Sequence, residues 1–157
     1  MPKITFLDES YILWLRLFQT RSALFKARQN KVGRYIHYNM AAALVTIWAF
    51  EGKATPAVLS RRLFLEPHTT SELVKRMEQK GLIKKNKDGK RENIIRISIT
   101  EKGRKLCLQA IQPEFVRSAI NVLSEEQKNQ LNAILRALYV QALKELGLKE
   151  EDMQPQD

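Results

Sequence analysis

The chain has 157 residues and is 44% hydrophobic, which is enough to bury one ordinary core, so a single domain spanning residues 1–157 is expected. Its 27 Lys and Arg outnumber its 17 Asp and Glu, and the net charge of +10 favours a polyanionic partner or an anionic surface. The single cysteine excludes an internal disulfide and a cysteine-based zinc site, and it suits a reducing compartment.

The first residues, MPKITFLDES, lack the basic start and the apolar run of a signal peptide. No apolar stretch approaches the roughly 18 residues that a membrane-spanning helix needs. We therefore expect a cytoplasmic protein without a membrane partner.

The N-terminal part of the chain is predicted to form one long helix, from about residue 8 to residue 31. Its large side chains Tyr11, Trp14, Phe18 and Phe25 follow a and d spacing, and further apolar residues widen this stripe. A helix that is apolar almost all round is usually buried on more than one side. It therefore needs neighbours beyond a small core.

The next part of the chain has the pattern of a helix-turn-helix. Residues 40–50 form a compact apolar segment that is typical of a buried helix. Thr55 is a helix-capping residue and Pro56 suits the first helical position, where a missing N–H costs nothing. A turn near Phe64 then leads into a second helix, and the span 55–80 has the right length for the motif.

This second helix is predicted to run from Pro67 to Lys80 and to end at Gly81, a left-handed cap residue. Its inner stripe consists of Leu73, Val74 and Met77, with Thr70 beside them. The opposite side is short-chained and hydrogen-bonding near its start and basic further along. It carries His68, Thr69, Ser71, Glu72, Lys75, Arg76 and Gln79.

A small β-hairpin is predicted after this helix. Asp88 and Gly89 form a turn signal, and Ile95, Ile97 and Ile99 alternate with polar residues, as in a half-buried strand. Residues 75 to 105 contain twelve Lys and Arg against four acids, an excess of eight positive charges out of the net ten. A helix followed by such a hairpin is the outline of a winged helix.

The C-terminal part is predicted to be helical from about residue 101 to residue 147. Pro113 must kink or restart the helix, because its ring removes one hydrogen bond and clashes with the preceding turn. Ser124 and Gln127 form a capping box for the last helix, whose apolar residues have the clearest period in the chain. The acidic tail, residues 148–157, is predicted to be disordered.

The segments MEQKGLI at 77–83 and ISITEKG at 97–103, joined by a charged hairpin, resemble the signature of the MarR family of winged-helix transcription regulators. The resemblance covers residues 55–103 at the level of motifs and nearly the whole chain at the level of helix layout. Members of that family carry an Asp-x-Arg at the wing. The nearest match is Asp88-Gly89-Lys90-Arg91, one residue wider, which makes Arg91 the candidate for the minor-groove arginine.

The resemblance implies a mostly α-helical fold with a small β-hairpin wing: a winged helix-turn-helix at about residues 38–100, with dimerisation helices at about 8–31 and 101–147. A monomer would expose the apolar stripes of these terminal helices, which soluble proteins avoid. Packing of the two helices on each other within one subunit is the alternative to a homodimer. The residues expected at the dimer interface are Tyr11, Leu131, Leu135, Leu138, Tyr139 and Leu143.

The resemblance also implies two kinds of ligand. Double-stranded DNA with a pseudo-palindromic operator would contact the recognition helix through His68, Thr69, Ser71, Glu72, Lys75 and Arg76, and the wing through Lys87, Lys90 and Arg91. Relatives often bind small aromatic compounds in a crevice. The aromatic residues on the corresponding segments are Trp14, Phe18, Tyr35, Tyr38 and Trp48.

Catalytic and metal sites are not expected. The two histidines, His37 and His68, are isolated and match no metal-ligand spacing, and Cys107 is interpreted as a small core residue. No paired acid and base groups occur, so the chain is predicted to be neither an enzyme nor a cofactor-binding protein. The main hypothesis is a homodimeric repressor that a small ligand releases from DNA. The alternative is a winged-helix interaction module that docks an acidic protein and does not bind DNA.

Overall fold

A computed structural model of the chain describes residues 8–32, 36–88 and 93–154. The chain divides into two compact units, residues 1–35 and residues 36–157. None of the described helices is long and apolar enough to cross a membrane.

The described part of the first unit is a single helix, α1, at Glu9–Val32. The carboxylate of Asp8 accepts a hydrogen bond from the backbone N–H of Tyr11 at 2.9 Å, which satisfies a free donor of the first turn. Large apolar side chains on several sides of α1 are exposed to solvent, among them Trp14 and Phe18. The helical backbone confirms the predicted helix. Much of its apolar surface is exposed in the single chain.

The described part of the second unit contains a helix-turn-helix formed by Pro56–Leu63 (α3) and Pro67–Gln79 (α4), a two-stranded hairpin, four further helices and a short 3₁₀ turn. Their bounds are α2 Tyr38–Ala49, α3 Pro56–Leu63, α4 Pro67–Gln79, β1 Ile83–Lys87, β2 Ile95–Ile99, α5 Glu101–Ile111, α6 Pro113–Ile120, α7 Glu125–Glu145 and the 3₁₀ turn Glu150–Met153.

Side-chain caps fix where these helices begin. The hydroxyl of Thr55 accepts from Val58 N at 3.2 Å, and that of Thr100 accepts from Gly103 N at 3.0 Å. Ser124 forms a reciprocal capping box with Gln127 at the start of α7, as predicted. His37 caps α2, because its Nδ1 accepts from Asn39 N at 3.4 Å. Each cap pairs a backbone N–H that the helix itself leaves free.

The core of the second unit lies between α2, α3, α4, α5 and the hairpin. The strands are antiparallel, with Ile83 opposite Ile99 and Lys85 opposite Ile97. Ile97 and Ile99 point into the core, whereas Ile95 is exposed at the end of the strand. The fully buried core residues with the largest side chains are Leu44, Ile47, Leu59, Met77, Leu82, Ile83 and Ile97.

The start of α5 is bonded directly to the end of α4. The hydroxyl of Thr100 donates to Gly81 O at 2.7 Å, and Lys102 Nζ donates to Lys80 O at 2.8 Å. Gly103 allows this close approach, because a Cβ at that position would lie 2.1 Å from Leu82 O. Gly81 itself has φ +70°, the left-handed conformation predicted for the residue that ends α4.

Pro113 restarts the helix as predicted. Gln112 between α5 and α6 adopts a left-handed conformation with φ 47°, and Pro113 occupies the first position of α6.

The predicted disorder of the C-terminal tail is wrong for residues 148–154, and residues 155–157 lie outside the described part. Glu150–Met153 forms the 3₁₀ turn, which contacts α3. Met153 is 2% exposed, and Arg136 Nη2 lies 3.2 Å from Glu150 Oε2 on the surface. Acidic composition suggested disorder, but one large apolar side chain in a buried position is enough to anchor the segment.

Candidate nucleic-acid interface

The orientation of α4 is fixed by the side that it buries. Thr70, Leu73, Val74 and Met77 are the buried residues of this helix, as the sequence pattern predicts. The hydroxyl of Thr70 donates to Glu66 O at 3.1 Å, so the one buried polar group of the stripe is satisfied. Because this side faces the core, the opposite side of α4 faces solvent.

The exposed side of α4, here called the reading face, consists of the residues predicted to contact DNA. All of them are exposed: His68, Thr69, Ser71, Glu72, Lys75 and Arg76. A helix with such a surface fits the major groove, where its N-terminal residues reach base edges.

Within the reading face, two side chains contact each other. His68 Nε2 lies 3.5 Å from Glu72 Oε1 across one helical turn, and their side chains are 85% and 61% exposed. An acid that faces DNA needs either a cytosine amino group from which to accept or a cationic neighbour such as Lys75 or Arg76. In the single chain, the side chain beside the Glu72 carboxylate is His68.

The hairpin, here called the wing, adds positive charge next to α4. Lys84, Lys85 and Lys87 on β1 are exposed, and Lys85 Nζ lies 2.7 Å from Glu78 Oε2 on α4. Lys87 is exposed at the end of β1, as expected for a wing contact. Lys90 and Arg91, the other predicted wing residues, lie outside the described residues.

The turn end of the wing holds a partly buried ion pair that sequence reasoning missed. Arg96 Nε and Nη2 each lie 2.8 Å from Asp88 Oδ2, and Arg96 Nη1 donates to Lys53 O at 3.2 Å. Their side chains are 20% and 15% exposed. The hairpin register could have indicated the pair. Asn86 lies opposite Arg96, and Asp88, two residues after Asn86, is on the same face of the hairpin.

The residues predicted to line a ligand crevice have different surroundings. Trp14 and Phe18 are exposed on α1, and Tyr38 is exposed at the start of α2. Trp48 packs against the core, and the Arg104 guanidinium lies 5.2 Å from its ring centroid. Tyr35 lies outside the described residues.

The residues predicted for a dimer interface are exposed, with one exception. Tyr11 is exposed on α1, and Leu131, Leu135, Leu138 and Tyr139 are exposed on α7. Leu143 is 1% exposed within the single chain, so its assignment to a dimer interface is wrong. It lies one turn beyond Tyr139, whose ring contacts that of Phe64 edge to face with 6.5 Å between centroids. The C-terminal part of α7 at Leu143 therefore packs within the subunit, whereas Tyr139 is only partly covered.

The described residues contain no group of three or more His, Cys, Asp or Glu side chains that could hold a metal ion. Cys107 is fully buried, as predicted, and burial raises the pKa of its thiol.

Comparison with known proteins identifies the family. A model of the MarR family matches residues 41–92. The organic hydroperoxide resistance transcriptional regulator of Bacillus subtilis (strain 168) is 32% identical over 104 residues, which are 66% of this chain and 68% of that protein. The chain belongs to the MarR family. Members of this family are non-enzymatic DNA-binding proteins, and this MarR-family chain is a transcriptional regulator.

Solved MarR-family structures have the same fold. The organohalide-sensing regulator RdhR-CbdbA1625, in its 2,4-dichlorophenol-bound form, is 27% identical with a TM-score of 0.70, over 88% of this chain and 83% of that chain. The S. aureus MepR–DNA complex is 25% identical with a TM-score of 0.66, over 84% of this chain and 96% of that chain. The predicted fold class, mostly α with a β-hairpin wing, is confirmed.

Proposed function

We propose that this MarR-family regulator is a homodimer that binds a pseudo-palindromic operator in double-stranded DNA and represses transcription until a small aromatic ligand releases it. The observation that carries the proposal is the reading face: a hydrogen-bonding and basic helix surface that is turned to solvent by a fully buried opposite side. Its site of action is the cytoplasm, where the DNA of a prokaryotic cell lies.

The reading face on α4 and the wing make different kinds of contact with DNA. Side chains in the first turns of α4, His68 to Glu72, reach base edges, while Lys75 and Arg76 neutralise phosphates beside the groove. The wing contacts come from Lys87 together with Lys90 and Arg91. Support for a DNA partner comes from the MepR neighbour, whose structure is a complex with DNA.

A homodimer would cover the apolar side chains that the single chain exposes on α1 and α7. Two-fold symmetry would place two reading helices about one DNA turn apart, roughly 34 Å, and would match a palindromic operator. Support for an aromatic ligand comes from the RdhR-CbdbA1625 neighbour, which has a form with bound 2,4-dichlorophenol.

The experiment is a selection of bound sequences from random DNA duplexes at moderate salt, followed by affinity measurement on the selected site across a salt series. We expect saturable binding to a near-palindrome. Lys87→Ala should lower the slope of log affinity against log salt by about one, because one phosphate contact is lost. Lys144→Ala on α7 removes the same charge outside the reading face and the wing and serves as the matched control.

Two further outcomes decide the remaining parts of the proposal. Release of the selected duplex by one member of a panel of small aromatics supports the ligand class, and no release by any of them contradicts it. If no duplex is preferred over competitor DNA, the proposal fails, and binding of an acidic protein becomes the function to examine.

A further inference from the structure

The reading face carries an acidic residue at the place where a DNA-binding helix usually carries cations. Glu72 is 61% exposed, and no phosphate contact is available to a carboxylate, because phosphate oxygens repel it and offer no proton. Its useful partner in DNA is therefore a hydrogen-bond donor on a base edge. This inference rests on the proposed function, since it names the base that the reading face recognises.

The imidazole of His68 lies beside the Glu72 carboxylate. Nε2 of His68 lies 3.5 Å from Glu72 Oε1, so the imidazole sits against one oxygen of the carboxylate. The other oxygen, Oε2, is the acceptor that the carboxylate can offer to a partner outside the helix.

The hydroxyl of Ser71, near this pair, is also a hydrogen-bond acceptor toward an outside partner. Ser71 Oγ donates its proton to Pro67 O at 2.9 Å, so only its lone pairs remain for an outside partner. Thr70, the adjacent hydroxyl, donates to Glu66 O and is buried. The first two turns of α4 therefore offer acceptors from Glu72 and Ser71, and the exposed hydroxyl of Thr69 can donate as well as accept.

Major-groove base edges differ in what they offer to such a surface. Guanine presents N7 and O6 and thymine presents O4, all acceptors that a carboxylate avoids. Adenine has an amino donor at N6, but its acceptor N7 lies next to it. Cytosine presents the N4 amino donor and no acceptor of its own in the major groove, so among the four bases it is the one that a carboxylate prefers.

We infer that Glu72 reads the N4 amino group of a cytosine in each operator half-site and that His68 acts as a positioning residue that holds the carboxylate toward it. Lys75 and Arg76, further along the helix, supply the cations that offset repulsion between Glu72 and the DNA backbone.

The test is sequence selection by the full chain and by variants at Glu72. The wild type should select a fixed cytosine in each half-site, and 2-pyrimidinone at that position, which lacks the N4 amino group, should weaken binding about tenfold. Glu72→Gln should shift the preference to adenine, because an amide both donates to N7 and accepts from N6. Glu72→Ala should leave no preference there.

Control variants separate base reading from general DNA attraction. Lys75→Ala should weaken binding to all duplexes and lower the salt slope while the cytosine preference stays. Gln79→Ala, in the last turn of α4, should change neither. His68→Ala should reduce discrimination between cytosine and other bases severalfold without a change in salt slope, and His68→Gln, whose amide can still donate to Glu72, should restore most of it.

The outcomes that overturn this inference differ from failure of the proposed function. Specific binding with the same consensus in wild type and Glu72→Ala removes Glu72 as a reader and leaves the proposed function standing. A wild-type consensus without a fixed cytosine does the same. Absence of any preferred duplex for the wild type overturns both proposals together.

Discussion

Cys107 shows how the surroundings of one residue decide its chemistry. The thiolate is the form that reacts with oxidants and alkylating reagents, and burial raises the pKa of this thiol, so at neutral pH it is held as the unreactive thiol. Its side chain is also fully buried, which denies reagents access. A relative is a hydroperoxide resistance regulator, but in this chain the single cysteine belongs to the core.

We expect native protein at neutral pH to react with an aromatic disulfide reagent far more slowly than the same protein in urea, where one equivalent of thiol should react at once. The rate of reagent reduction measures this directly. Fast reaction of one equivalent in the native protein would mean that Cys107 is accessible and ionised, contrary to its burial.

At the scale of elements, we expect the wing to depend on the partly buried ion pair of Asp88 and Arg96. Arg96→Ala removes a guanidinium that bonds Asp88 and the carbonyl of Lys53, and we expect it to lower the free energy of unfolding by about 1–3 kcal/mol. Operator affinity should fall because the wing loses its anchor, but the salt slope should stay, since Arg96 has no assigned phosphate contact. Arg96→Lys, which keeps the charge but loses the fork geometry, should recover only part of the stability.

Urea unfolding and DNA-binding salt series on the two variants check this. A salt slope that falls in Arg96→Ala as it does in Lys87→Ala would show that Arg96 contacts DNA and does not act through the wing.

The C-terminal 3₁₀ turn is a second element whose role can be measured. Met153→Ala removes a buried side chain that is 2% exposed, and we expect a loss of about 2 kcal/mol in the free energy of unfolding. Gln154→Ala, at the exposed neighbouring residue, is the control and should change stability little. Equal urea midpoints for both variants would mean that the turn does not contribute to the stability of the folded chain.

Local signals predicted the elements well. The capping box of Ser124 and Gln127 and the restart at Pro113 depend on neighbours within a few residues, so the sequence alone contains the information. The contact of His68 with Glu72 also follows from i, i+4 spacing.

Features that depend on distant partners could not be predicted in this way. Burial of Met153 depends on where the chain folds back, and nothing nearby in the sequence indicates it. Leu143 belongs to the same apolar period as the exposed side of α7, and only the packing of the subunit shows that it faces inward. The pair of Asp88 and Arg96 required the hairpin register, which the strand pattern alone did not fix.

At the scale of the whole molecule, the proposed dimer predicts that one side of α7 forms the contact between subunits and that the opposite side does not. Leu135→Glu places a charge among exposed apolar residues of α7, and we expect it to give monomers at micromolar concentration, as measured by light scattering or sedimentation. Ala137→Glu makes the same change two residues on, about 200° around the helix, and should leave the dimer intact. Because Leu135 is exposed in the single chain, the monomers should remain folded.

A wild-type chain that sediments as a monomer at these concentrations would contradict the dimer outright. Dissociation by both variants alike would instead place the contact on the whole circumference of α7. A monomeric wild type would also remove the reason for a palindromic operator.

The bonds that join the end of α4 to the start of α5 have a mechanical consequence. With Thr100 and Lys102 bonded to Gly81 and Lys80, and with no room for even a methyl group at Gly103, the end of α4 and the start of α5 are held together. We expect any displacement of the reading face to include α5 as far as Gln112, where a left-handed residue separates α5 from α6. Release from DNA would then move the reading helix as an intact element.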